Sequence, residues 1–148
     1  MKRKILPTET YLDRIRTLQA AMQRQDLDAV LVVSSEAEPA NVRYFTDYWP
    51  VFETAGLLVP AEGDALLLTG PESERLVRVH SRLYELRKLL EFRESSDPEY
   101  PDIQQTTFDD VLKEIGRRRT IRRIGLIGTN IMTVQVYQGL EAAARGLE

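Results

Sequence analysis

The chain has no cysteine and only one histidine, His80. Without cysteine it forms no disulfide, offers no thiolate nucleophile and builds no cysteine-ligated zinc site, and nothing in the composition marks passage through an oxidising compartment. A histidine-rich metal site or a Ser-His-Asp triad would have to use His80, whose neighbours Val79 and Ser81 match no metal-ligand spacing. His80 therefore reads as an ordinary, partly exposed helix residue. Long apolar runs are also missing: none approaches the roughly 18 residues of a membrane span. The basic start Met1-Lys2-Arg3-Lys4 is followed only by Ile5-Leu6 before Pro7, which lacks the apolar stretch of a signal peptide. Excess positive charge is absent as well. A formal net charge of −3 and a pI near 5.3 give no general attraction for phosphate backbones or anionic lipid. The expectation is a soluble, cytoplasmic protein with no nucleic-acid and no membrane partner.

What is present suits one folded domain over residues 1–148: 43% hydrophobic and 29% charged residues, in a length able to bury a proper core. Tyr11, Ile15, Leu18 and Met22 recur at helical spacing after Pro7, with Thr8 and Thr10 as candidate caps. Ala29 to Val33 is a continuous β-branched run that suits a strand covered on both faces. The segments Ala55 to Val59 and Ala65 to Thr69 flank Pro60-Ala61-Glu62-Gly63-Asp64, a hairpin signal. Leu76, Val79, Leu83 and Leu86 predict a helix over 72–87, Lys88 to Phe92 a short strand, and residues 93–105 a loop. Thr107 is placed to cap a third helix with Phe108, Val111, Leu112 and Ile115 inward; Arg123 to Ile127 reads as the last strand. A fourth helix runs from about Thr133 to Arg145, with Gly146 at its carboxyl end. Val30, Val32 and Ile124 are expected to be buried. The alternation of helices, strands and one hairpin predicts an α/β fold, a central mixed sheet with helices on its faces.

Few residues point to chemistry. Asp97, Glu99 and Asp102 fall in the polar loop and read as solvated; Asp109, Asp110 and Glu114 fall in the first turns of a helix, where the dipole favours acids. Ile124-Gly125-Leu126-Ile127-Gly128 enters a glycine turn, but its Gly-x-x-Gly spacing fails the dinucleotide fingerprint. Arg117, Arg118, Arg119, Arg122 and Arg123 place five cations in seven residues near a helix end, where cations are favourable. The segment from Glu36 to Pro50 reads as a structured loop in which Asn41 caps a single helical turn. Just here the aromatics concentrate: Tyr44, Phe45, Tyr48, Trp49 and Phe52 are five of the chain's eleven within nine residues. Tyr44 and Phe45 read as local core, and Trp49, held by Pro50, as a rigid contact group.

Asn41-Val42-Arg43-Tyr44-Phe45-Thr46-Asp47-Tyr48 resembles the Asn-(Ile/Val)-x-Tyr-Leu-(Thr/Ser)-Gly-(Phe/Tyr) loop of creatinase and prolidase amino-terminal domains. The ordered surroundings agree: Tyr11-x-x-Arg14-Ile15, Met22, Leu27 to Val32, the hairpin, and Arg123 to Leu126. The chain departs from that pattern at Asp26 and Asp47, where glycine is usual, and at Phe45, where leucine is usual. The resemblance implies a three-layer α/β/α, ribonuclease H-like domain that builds a homodimer and walls the substrate pocket of an Xaa-Pro dipeptidase or aminopeptidase. It implies no cofactor in this chain; two divalent metal ions, with manganese a candidate, belong to a catalytic pita-bread domain whose two Asp, one His and two Glu have no counterpart here. Arg43, Tyr48 and Trp49 are the implied substrate-pocket residues, facing a small peptide or other small molecule, with none catalytic. A creatinase-like non-peptidase hydrolase and a stand-alone binding or scaffold domain are the alternatives.

Overall fold

The computed structural model describes residues 5–83, 85–94 and 105–147. Among the described residues five helices, α1 (Thr8–Arg24), α2 (Ala40–Thr46), α3 (Glu74–His80), α4 (Phe108–Gly116) and α5 (Val134–Arg145), surround one sheet. Its strands are β1 (Ala29–Ser35), β2 (Thr54–Pro60), β3 (Leu66–Thr69), β4 (Leu86–Lys88) and β5 (Ile124–Ile127), in the spatial order β4-β3-β2-β1-β5. β1 pairs antiparallel with β2 and parallel with β5; β3 pairs antiparallel with β2 and parallel with β4. The sheet is therefore mixed.

β1 alternates between two cores. Ala29, Leu31 and Val33 pack with Phe92, Phe108, Leu112, Val136 and Leu140 under α4 and α5, whereas Val30 and Val32 pack with Ile15, Met22, Val42, Phe45 and Val77 under α1, α2 and α3. Helices on both faces make a three-layer α/β/α domain. The α1 stripe is inward as its spacing requires, with Tyr11, Ile15 and Met22 buried and Leu18 partly so. Thr107 caps α4 in a complete capping box with Asp110, and Thr133 caps α5 through the Val136 N–H. Gly146 stands at the carboxyl end of α5.

Several expectations need correction. α1 starts from extended Pro7 with no side-chain cap, so Thr8 and Thr10 are inside its first turn. α2 begins one residue before Asn41, which lies within the helix and donates from Nδ2 to the Val33 carbonyl, 3.1 Å. The helix expected over 72–87 is a 3₁₀ turn, Pro71–Ser73, followed by α3, which stops at His80 because Ser81 turns extended and Arg82 N–H is claimed by the Thr46 carbonyl. Leu83 and Leu86 still pack on the same core, but from the loop and β4. The strand expected over 88–92 is split: β4 ends at Lys88, and the 3₁₀ turn Leu90–Phe92 drops Phe92 into the opposite core. Ile124 is only half-buried, since β5 is an edge strand, while Val30 and Val32 are buried. Asp97, Glu99 and Asp102 lie outside the described residues, as does most of the expected loop over 93–105.

The burial contrast sets an order of stabilities. Leu31→Ala at the central strand should cost about 3 kcal/mol and Ile124→Ala at the edge roughly half that. Urea melts of both variants check this; an equal or reversed cost would misplace β5.

Candidate functional site

The loop after β1 is anchored first by hydrogen bonds to the end of that strand. Ser34 Oγ accepts from Val42 N–H at 2.8 Å, and with the Asn41 bond to Val33 it fastens α2 across the strand end. Gly128, with φ 86°, brings the end of β5 against the same spot; a Cβ there would run into the Val33 carbonyl and meet Asn41 Nδ2 at 3.0 Å. Thr46 then organises the turn: its hydroxyl donates to the Val42 carbonyl at 2.8 Å and accepts from Tyr48 N–H at 3.0 Å. Asp47 closes α2 in the left-handed region, φ 65°, and Asp26 follows α1 with φ 54°. These are the two positions where glycine was the usual residue. The backbone needs positive φ at both, and Asp is among the few side chains that tolerate it.

Arg43 sits on α2 with its guanidinium 5.0 Å from the Trp49 ring centroid and Nε 4.0 Å from the Asp47 carboxylate. Trp49 is 48% exposed and tethered by its indole N–H to the Glu36 carbonyl at 3.1 Å. The structure thus brings these two candidates together at the surface. Tyr48 is not with them. It is fully enclosed, and its hydroxyl donates to Glu53 Oε1 at 2.8 Å, so it supports the loop from beneath and offers no surface to a ligand. Of the two rings expected in the core, Phe45 is buried but Tyr44 is 53% exposed, stacked on Arg14 at 4.1 Å.

Glu53 carried no sequence signal, because an acid ahead of a strand resembles any solvated acid. Yet it is buried, with Tyr48 and the Ser73 hydroxyl both donating to Oε1, while Oε2 has no partner among the described residues. Loss of hydration pushes its carboxyl from 4.5 up to about 8, against the opposing pull of the Ser73 and Tyr48 hydroxyls. Burial likewise raises the Tyr48 hydroxyl. Asp28 is the opposite case: burial pushes it up, but the Arg122 and Arg123 backbone N–H groups (2.9 and 3.0 Å) and Arg119 Nε (2.7 Å) outweigh this and hold it below its usual value. That contact, with Asp26 reached by Arg123 at 3.2 Å, gives the arginine run a structural role. Asp109 and Glu114 are similarly engaged by Lys113 and Arg87, and His80 is the exposed last residue of α3. Among the described residues no three His, Cys, Asp or Glu side chains come together to hold a metal ion, and no helix is long and apolar enough to cross a membrane.

The chain matches the Creatinase/Prolidase N-terminal domain family over residues 14–148, and it belongs to that family. In fold it is similar to the N-terminal domain of the cytoplasmic peptidase PepQ from Mycobacterium tuberculosis H37Rv, at TM-score 0.63 and 20% identity, covering 90% of this chain and 86% of that one. It is also similar to the Xaa-Pro aminopeptidase from Streptococcus thermophilus, at TM-score 0.56 and 22% identity over 94% and 87% of the two chains. Dipeptidase PepE from Mycobacterium ulcerans matches at TM-score 0.59 and 14% identity over 96% of this chain, which spans only 34% of that enzyme. No curated protein matches the sequence.

Glu53 sets a pH dependence. The native state keeps a proton that the unfolded chain releases above about 4.5, so stability is full below that pH and declines until the native group itself ionises near 8. Glu53→Gln should flatten this fall, which amounts to at most about 1.4 kcal/mol per pH unit. Urea melts of both proteins across that window provide the check; parallel profiles would mean that Glu53 is ionised at neutral pH.

Proposed function

We propose that this domain is the non-catalytic amino-terminal part of an Xaa-Pro dipeptidase or aminopeptidase, forming the homodimer and walling the substrate pocket with Arg43 and Trp49. The supporting observation is the loop 36–53: a half-exposed Trp stacked on an Arg, tethered through hydrogen bonds to the end of the central strand, in a family of prolidase-type N-terminal domains. A rigid aromatic beside a guanidinium is a contact surface that loses little conformational entropy on binding, and the guanidinium can take a substrate carboxylate through two parallel hydrogen bonds. A rim of this kind excludes water and long chains from a pocket without supplying a reacting group.

The two divalent metals, manganese the candidate, would be held by a separate catalytic domain, and no step is assigned to them through the described residues of this chain. The setting would be the cytoplasm and the substrate a short peptide; nucleic acid and membranes are not partners in this reading.

The test is kinetic, in the domain joined to its catalytic half. Trp49→Ala and Arg43→Lys should each lower kcat/KM on Xaa-Pro dipeptides by about tenfold or more, near 1.4 kcal/mol, with the domain's melting temperature nearly unchanged. Activity on creatine in place of Xaa-Pro peptides would favour the non-peptidase branch. Unchanged kinetics, or losses that only follow unfolding, would reduce both residues to structural roles.

A further inference from the structure

A second feature of the same face lies outside the Arg43–Trp49 pair. An open cleft of about 620 Å³ is lined, among the described residues, by the acids Glu36, Glu53, Glu91 and Glu94, by Arg93 and by Phe52. Its size is within the range of small-ligand sites. Among the described residues Glu91 has no hydrogen-bond or ion-pair partner, and Arg93 is the single cation on the wall. Glu53, one of the lining residues, is 93% buried, and its Oε2 has no hydrogen-bond partner among the described residues. Phe52 is 70% exposed and held at φ 63° by its N–H bond to Glu36 Oε2, 3.3 Å. An aromatic ring presented to water in the left-handed region is unusual for a bulky residue.

We propose that this cleft binds a guanidinium group, the arginine side chain of a short peptide, between the face of Phe52 and the carboxylates of Glu36 and Glu91, with Glu53 contributing charge from below. The acids are too dispersed to enclose a metal ion among the described residues, whereas a planar cation with five donors can span two carboxylates and stack on a ring. Glu53 need not be touched. A buried carboxylate acts over several ångströms where the effective dielectric is low, so the Tyr48 and Ser73 hydroxyls stay in place. The charged and polar groups facing Glu53 are Tyr48 on the loop, Ser73 and Glu72 on the 3₁₀ turn, the Gly70 backbone N–H, and the cleft acids with Arg93. A bound cation favours ionised Glu53, so affinity should rise as pH increases through about 8. The inference does not rest on the peptidase reading, because it concerns binding by this chain alone.

The experiment is an amide chemical-shift titration of the chain with N-acetyl-argininamide, whose charge does not change with pH. Its neutral isostere N-acetyl-citrullinamide and N-acetyl-lysinamide are run in parallel. Saturable shifts are expected at Ser35, Phe52, Thr54 and Gln135, with the citrulline compound at least about tenfold weaker and the lysine compound intermediate. The double variant Glu36→Gln/Glu91→Gln should lose binding by a similar factor while melting normally. Glu53→Gln should retain binding but lose its pH dependence. Equal binding of the arginine and citrulline compounds, shifts that map elsewhere, or no saturable shift at millimolar ligand would overturn the proposal.

Discussion

One strand carries the architecture. β1 is buried on both faces, and its register with β2 over seven residue pairs and with β5 over four decides which side chain enters which core. A slip of one residue would exchange the two faces and strip both helical layers of their partners. The same strand sets the position of the loop that carries Arg43 and Trp49, because Ser34 and the Val33 carbonyl at its carboxyl end hold α2 through its side chains and backbone. Loop 36–53 is therefore an extension of the core, and its exposed aromatics are presented from a fixed base.

The two buried carboxylates show how burial is resolved in different ways. Asp28 gathers two backbone donors and Arg119 where the segment before β5 meets the turn before β1, and stays charged. Glu53 is met by uncharged donors, the Tyr48 and Ser73 hydroxyls and the Gly70 backbone N–H, with no cation beside it, and favours its protonated form. Breaking a compensated pair leaves a buried charge behind, whereas an uncompensated acid is a group that a nearby cation can recruit. The first is architecture. The second stands at the lining of a cleft, on the side of the domain that displays Trp49 and Phe52.

The fold was largely legible because its signals are local. Alternation and β-branching marked β1, the Pro–Gly break marked the hairpin, and Thr107 marked α4 through a capping box that the structure completes. The errors arose where tertiary contacts override periodicity. Leu76, Leu83 and Leu86 carry helical spacing, yet Thr46 takes the Arg82 N–H and β3 recruits Leu86 as a strand partner. The site was half legible. Aromatic density and the loop motif pointed to Arg43 and Trp49 as candidates, which the structure sets side by side, but composition cannot tell an enclosed tyrosine from a displayed one, and Tyr48 proved to be the former. Glu53 and Glu36 were invisible because their roles depend on partners 20 and 16 residues away, Ser73 and Phe52.

A creatinase/prolidase-type N-terminal domain can wall a pocket only if the residues it offers stay where they are when nothing is bound. Rigidity of the loop is therefore the central claim, and native-state hydrogen exchange measures it residue by residue. The amides of Val42 and Tyr48, bonded to Ser34 Oγ and Thr46 Oγ1, should exchange with free energies of opening close to those of the β1 amides. Exchange at the rate of an open loop, while β1 remains protected, would contradict a preformed contact surface.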